Sequence, residues 1–213
     1  MIPREARARR AARPLAAALL AALAAPFVTP SPVSAGAGPD APVNPRRDAY
    51  KTRYAGKTAP DFALSDTQGH DVRLSSLRGH VVLLNFWYSG CPPCRKETPD
   101  LVTLHRLYGR EGLTILGMNL DDVLIPAEGH APLAAFLKEF QVPYPVLMVD
   151  NKTFDAYGGI PVQPISFLID RTGTIVHVFW GAFPGPVFEK TIKPYLTPAP
   201  GPASPPAPAA PRP

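Results

Sequence analysis

The sequence predicts an α/β domain with a central mixed sheet flanked by helices. Three observations lead there. Val81 to Trp87 is a nearly unbroken apolar run, the pattern of a strand covered on both faces. Such runs alternate with helical patterns, first Leu101, Leu104, Leu107 and Tyr108, then Leu133, Phe136, Leu137 and Phe140. Finally, two apolar runs, 165–169 and 175–180, meet across Gly173, so the chain closes on a hairpin. Strands that alternate with helices and then end in a hairpin give both parallel and antiparallel pairs.

Taken in order, 62–64 and 71–74 read as short strands joined at Gln68-Gly69, an N-terminal hairpin. Gly79 precedes the central strand, and a helix is expected from about Pro93 to Arg110, ended by Gly112. Leu113 to Asn119 is the next strand, and the connection 121–142 carries one helical pattern. A strand at 146–149, a short helix at 154–157, the closing hairpin and a helix from Val187 to Leu196 complete the domain, residues 56–196. Residues 36–55 are rich in Pro, Gly and Asn and read as a mobile linker. Residues 197–213 are mostly Pro and Ala and are expected to be a disordered tail, because they cannot bury enough apolar surface to fold.

The chain has 22 basic and 17 acidic residues, but the excess is local. Arg4, Arg7, Arg9, Arg10 and Arg13 lie at the start, and from Gly36 onward seventeen basic residues face sixteen acidic ones. A nucleic-acid footprint needs a basic patch on the folded domain, so no nucleic-acid partner is expected. The arginine-rich start leads into an Ala/Leu run from Leu15 to Ala25 and then Val33-Ser34-Ala35. Residues 1–35 therefore read as an export signal peptide, cleaved after Ala35 or retained as an anchor. A periplasmic or other extracytoplasmic location follows.

Cys91 and Cys94 are the only cysteines, two residues apart, between the central strand and the next helix. In an exported chain a disulfide is the first expectation. A bridge closing so short a loop constrains the unfolded chain little, which favours a redox-active pair over a structural one. Zinc would need more ligands, and His70, His80, His105, His130 and His177 are scattered, so no metal is expected. A helix N-terminus stabilises a thiolate, and the thiolate is the form that attacks disulfides. Cys91 is thus the expected exposed nucleophile and Cys94, a turn further in, the resolving thiol. Pro92 and Pro93 have no N–H, so the first turn offers the Cys91 sulfur fewer donors. Trp87 and Tyr88 are expected half-exposed beside the pair.

Four separated segments extend this reading. They are Ala59-Pro60-Asp61-Phe62 with Leu74-Ser75-Ser76-Leu77-Arg78-Gly79; Asn85-Phe86-Trp87 with the cysteine pair and Lys96-Glu97-Thr98-Pro99; Tyr144-Pro145-Val146-Leu147 with Asp150; and the run from Gln163 to Asp170 with Gly173. In this order and at these separations the chain resembles the TlpA/ResA-like thiol-disulfide oxidoreductases of the thioredoxin superfamily, over roughly Gly56 to Leu196.

The resemblance implies a thioredoxin-like fold, with residues 121–142 as an inserted helical segment. It implies that Glu97 influences the protonation of the cysteines, and that Pro164 is a cis-proline facing them, preferred over Pro161. The Val162-Gln163 backbone would then pair with an extended substrate. Substrate contacts are accordingly expected at Trp87, Pro92, Pro93, Gln163 and Pro164. One departure stands out: relatives commonly carry Trp just before the first cysteine, where this chain has Gly90, which implies a flatter, more open surface. Strongly oxidising relatives often place His between the cysteines, and none is present, which favours a reductase. The implied partners are disulfide-containing exported proteins, with apocytochrome c in cytochrome c maturation the best-known case, and a membrane thiol carrier as electron donor. A generic extracytoplasmic reductase is equally compatible. No cofactor and a monomer are expected. The alternatives are a thiol oxidase of exported proteins and a peroxiredoxin-like peroxidase. The peroxidase signature needs Thr three residues before its cysteine, where Tyr88 stands.

Overall fold

A computed structural model describes residues 44–196. The export segment, the start of the expected linker and the Pro/Ala tail lie outside the described residues.

The later part of that linker is a correction. Pro45–Tyr54 is a helix, α1. The Asn44 side chain caps it by accepting from the Arg47 N–H at 3.1 Å, and Pro45 occupies the first turn, where its missing N–H costs nothing. Tyr50 and Tyr54, four residues apart, bury one face. The Tyr50 ring lies edge-on to Trp180 at 5.3 Å and Tyr54 edge-on to Phe167 at 5.4 Å. Both hydroxyls find carbonyls: Tyr50 donates to Tyr157, and Tyr54 to Ala156 at 3.2 Å. Tyr50→Ala should therefore cost about 3–5 kcal/mol in urea unfolding. Tyr50→Phe, which loses only the hydrogen bond, should cost about 1 kcal/mol.

Strands β1 (Ala63–Ser65) and β2 (Asp71–Arg73) form the N-terminal hairpin. Its turn is closed by the Asp66 carboxylate, which accepts from the Gln68 and His70 N–H groups, each at 2.8 Å. The main sheet contains β3 (Val81–Trp87), β4 (Leu113–Asn119), β5 (Val146–Met148), β6 (Ile165–Ile169) and β7 (Ile175–Trp180). Their order is β5-β4-β3-β6-β7. β3 is central and wholly buried, parallel to β4 and antiparallel to β6. The sheet is mixed because the βα crossover to β4 is followed later by the β6–β7 hairpin.

Alternation along β3 sorts the core into two layers. Val82, Leu84 and Phe86 face α1 and Tyr157. Val81, Leu83 and Trp87 face helices α2 (Pro92–Tyr108) and α6 (Gly185–Leu196). Helix α2 starts one residue earlier than expected and ends in a 3-10 turn, Gly109–Glu111. Leu107, read as part of its apolar stripe, is 57% exposed. The inserted connection holds two helices, α3 (Asp121–Leu124) and α4 (Ala131–Phe140), not one. Helix α5 (Asn151–Ala156) follows β5. No helix among the described residues is long and apolar enough to cross a membrane.

Candidate active site

β3 ends at Trp87, and four residues later Cys91 caps α2. Its Sγ accepts from the Cys94 N–H at 3.2 Å. Pro92 and Pro93 are exposed and have no N–H, so Cys94 supplies the first available donor of the helix. Cys91 and Cys94 are joined as a disulfide with Cα atoms 5.3 Å apart. Cys91 is 1% and Cys94 2% exposed, which corrects the expectation of an exposed first sulfur. In this oxidised state the Cys91 sulfur is turned inward, bonded to Cys94 and hydrogen-bonded to the helix start.

The surroundings bring two further corrections. Trp87 is 3% exposed and stacks on Phe136 of α4 with ring centroids 4.2 Å apart. Its strand position points it at the insertion, which corrects the expectation of a half-exposed ring beside the cysteines. The neighbouring position 117 is tightly packed: a Cβ there would lie 3.0 Å from Val146 and 3.2 Å from Trp87 Nε1, so both would have to shift to admit one. The opening expected at Gly90 is filled by Tyr88, which is half-buried. A Cβ at Gly90 would stand 3.2 Å from the Tyr88 ring, so Tyr88 takes the place of a bulky residue there.

Glu97 lies one turn beyond Cys94 on the same helix face and is 3% exposed. Its two carboxyl oxygens accept from Asn85 Nδ2 and from the Phe183 N–H, each at 2.9 Å. Asn85 also donates to Ser166 Oγ at 2.8 Å, which ties β3, β6, α2 and the loop before α6 together. Burial pushes the Glu97 pKa up to about 8, the two donated hydrogen bonds pull it down, and the Asp100 charge adds to the rise. A carboxyl poised there can hold or release a proton near neutral pH.

The Gln163–Pro164 peptide bond is cis. Pro164 is buried, and its carbonyl accepts from the Gly181 N–H at 3.0 Å. Ile165 pairs with Phe86, so the register carried one step further sets Pro164 opposite Trp87 at the strand end that leads into the cysteines. Gln163 is half-buried and donates from Nε2 to the Ile160 carbonyl at 2.9 Å.

One polar cluster went unread in the sequence. Asp121, 1% exposed, accepts both the N–H and the hydroxyl of Ser89, two residues before Cys91. Its own N–H is held by the Asn119 side chain at 3.1 Å. The available clue was topological: functional groups gather at the carboxyl ends of parallel strands, and Asn119 closes β4 directly opposite Trp87. Asp121→Ala would strand two buried donors and should cost about 2–4 kcal/mol in denaturant unfolding. Asp121→Asn should recover at least half of that loss.

A profile of the AhpC/TSA family matches residues 55–178. The thiol-disulfide oxidoreductase ResA of Geobacillus kaustophilus is 34% identical over 145 residues, covering 67% of this chain and 79% of that protein. ResA of Bacillus subtilis is 35% identical over 140 residues, 62% of this chain and 74% of its own length. The chain belongs to the ResA-like thiol-disulfide oxidoreductases of the thioredoxin superfamily. Among solved structures, a thiol:disulfide interchange protein of Chlorobium tepidum superposes with a TM-score of 0.59 at 28% identity, covering 66% of this chain and 97% of that one. Membership of the ResA-like group and the thioredoxin-like fold together make the chain a thiol-disulfide oxidoreductase.

Proposed function

We propose that the protein works outside the cytoplasm as a reductase of disulfides in exported proteins, with Cys91 and Cys94 as its dithiol. The observation that carries this reading is the arrangement of Cys91 as the cap of α2, bonded within one turn to Cys94, with the buried Glu97 one turn further along. In the reduced protein the Cys91 thiolate attacks one sulfur of a substrate disulfide and expels the other as a thiolate. Cys94 then attacks the Cys91 sulfur. The substrate leaves with both its sulfurs reduced, and the Cys91–Cys94 bond takes up the two-electron oxidation. Glu97, buried one helical turn beyond Cys94, is the group this reading assigns to accept the Cys94 proton.

The local chemistry supports the reducing direction. A strong oxidant stabilises its thiolate, whereas here Pro92 and Pro93 withhold donors and leave the Cys94 N–H as the donor to the Cys91 sulfur. Reducing equivalents would come from a membrane thiol carrier, and apocytochrome c is one fitting substrate. The export-type start of the chain supports the location. The reduction potential tests direction. A value at or below about −250 mV supports the reductase, and one near −120 mV assigns the protein to thiol oxidation instead.

A further inference from the structure

Helix α1 does more than complete the core. Residues 46, 49, 50 and 53 recur at helical spacing, so they form one stripe. That stripe walls a cleft whose other side is Gly158, Pro161 and Trp180. The cleft adjoins the cis-proline loop. Trp180 pairs with Ile165, the Gly181 N–H binds the Pro164 carbonyl, and Pro161 is at most about 11 Å of chain from Pro164. Its floor is aromatic, from Tyr50 and Trp180. Its rim is cationic: Arg46 and Arg53 are exposed, and among the described residues neither pairs with a carboxylate. The single acid of α1, Asp48, is engaged by Arg47 at 3.0 Å.

We propose that this cleft binds an acidic segment of the polypeptide whose disulfide is exchanged at Cys91, an assignment that rests on the oxidoreductase reading above. A substrate strand laid against Val162-Gln163 continues, a few residues on, into a channel with an aromatic floor and two guanidinium groups that have no carboxylate partner among the described residues, the Arg53 group lying over the Tyr54 ring at 5.4 Å. Carboxylates flanking the substrate disulfide are the chemistry that complements it, because guanidinium forks match carboxylates. Charge on the rim sets partner choice and encounter rate more than the exchange step itself.

The test uses the full chain and two peptides, each with one internal disulfide and otherwise identical, one flanked by three Glu and the other by three Lys. The wild type should reduce the Glu peptide with a kcat/KM about fivefold higher, the size of two or three exposed charge pairs. The preference should fade with added salt. The Arg46→Glu/Arg53→Glu double variant should reverse it. Hydroxyethyl disulfide, which is uncharged and too small to reach the cleft, reports the dithiol alone. Normal reduction of that compound with equal rates on both peptides, in wild type and double variant alike, would overturn the cleft assignment and leave the oxidoreductase reading intact. Failure of the wild type to reduce hydroxyethyl disulfide would overturn that reading itself. If the double variant keeps the peptide preference but no longer binds vesicles of anionic phospholipid, the rim faces a membrane and the peptide proposal is wrong.

Discussion

Cys91→Ser should reduce disulfide turnover by at least about a thousandfold, because the remaining thiol, Cys94, lies inside the first turn and lacks the capping position that supports the attacking thiolate. Cys94→Ser should behave differently. The first attack by Cys91 remains possible, but nothing is left to resolve it, so a mixed disulfide between Cys91 and the substrate accumulates. The asymmetry rests on Cys91 capping α2, where the helix start supports a thiolate, while Cys94 lies inside the first turn. Burial does not separate the two in the disulfide state, since both are nearly inaccessible. Reduced protein treated briefly with iodoacetamide near neutral pH should be labelled first at Cys91, by mass spectrometry of the peptides. First labelling of Cys94 would invert the roles.

Glu97→Gln should change both stability and the pH profile of exchange. The folded pKa of Glu97 is raised by burial to about 8, above its ordinary value of 4.5. The folded state therefore holds a proton that the unfolded state releases between those two values. Its contribution to stability is complete below the unfolded value and is lost as pH rises through about 8. Gln keeps the size but cannot ionise, so the variant should gain on the wild type with rising pH. At about pH 9 the relative gain should be on the order of 2 kcal/mol in urea unfolding, allowing for partial relaxation around a buried charge. In the reduced protein the lost carboxylate should let the thiols ionise earlier, by about one pKa unit or 1.4 kcal/mol. A thiolate absorbance titration reads this directly. Superimposable titrations and equal pH dependence of stability would leave Glu97 only a packing role.

Much of the sheet was legible in the sequence because long apolar runs are punctuated by glycine. Leu113–Asn119, Ile165–Ile169 and Ile175–Trp180 have the ends that Gly112 and Gly173 suggest. Helix α1 was not legible. Only Tyr50 and Tyr54 among its ten residues are buried, so composition speaks for a linker while two aromatic rings decide otherwise. The cysteine pair stood out because strand, thiols and helix are contiguous. The inward sulfur of Cys91 did not, since it depends on the sulfur's own partners. Asp121 and Ser89 are 32 residues apart and meet only because β3 and β4 run parallel with Trp87 opposite Asn119. Likewise, nothing in the Lys96-Glu97 sequence pattern marks Glu97 as buried. Its burial comes from Asn85 on β3 and the Phe183 backbone, which no local pattern links to α2.

The most direct test of the central claim is electron stoichiometry at the cysteines. Fully reduced protein is mixed with excess hydroxyethyl disulfide and quenched by acid at intervals. Free thiol released is counted, and protein disulfides are mapped by mass spectrometry. The account requires one Cys91–Cys94 disulfide for each disulfide molecule reduced, with a transient adduct on Cys91. Persistence of both protein thiols, or stable adducts with no internal bond, would contradict it.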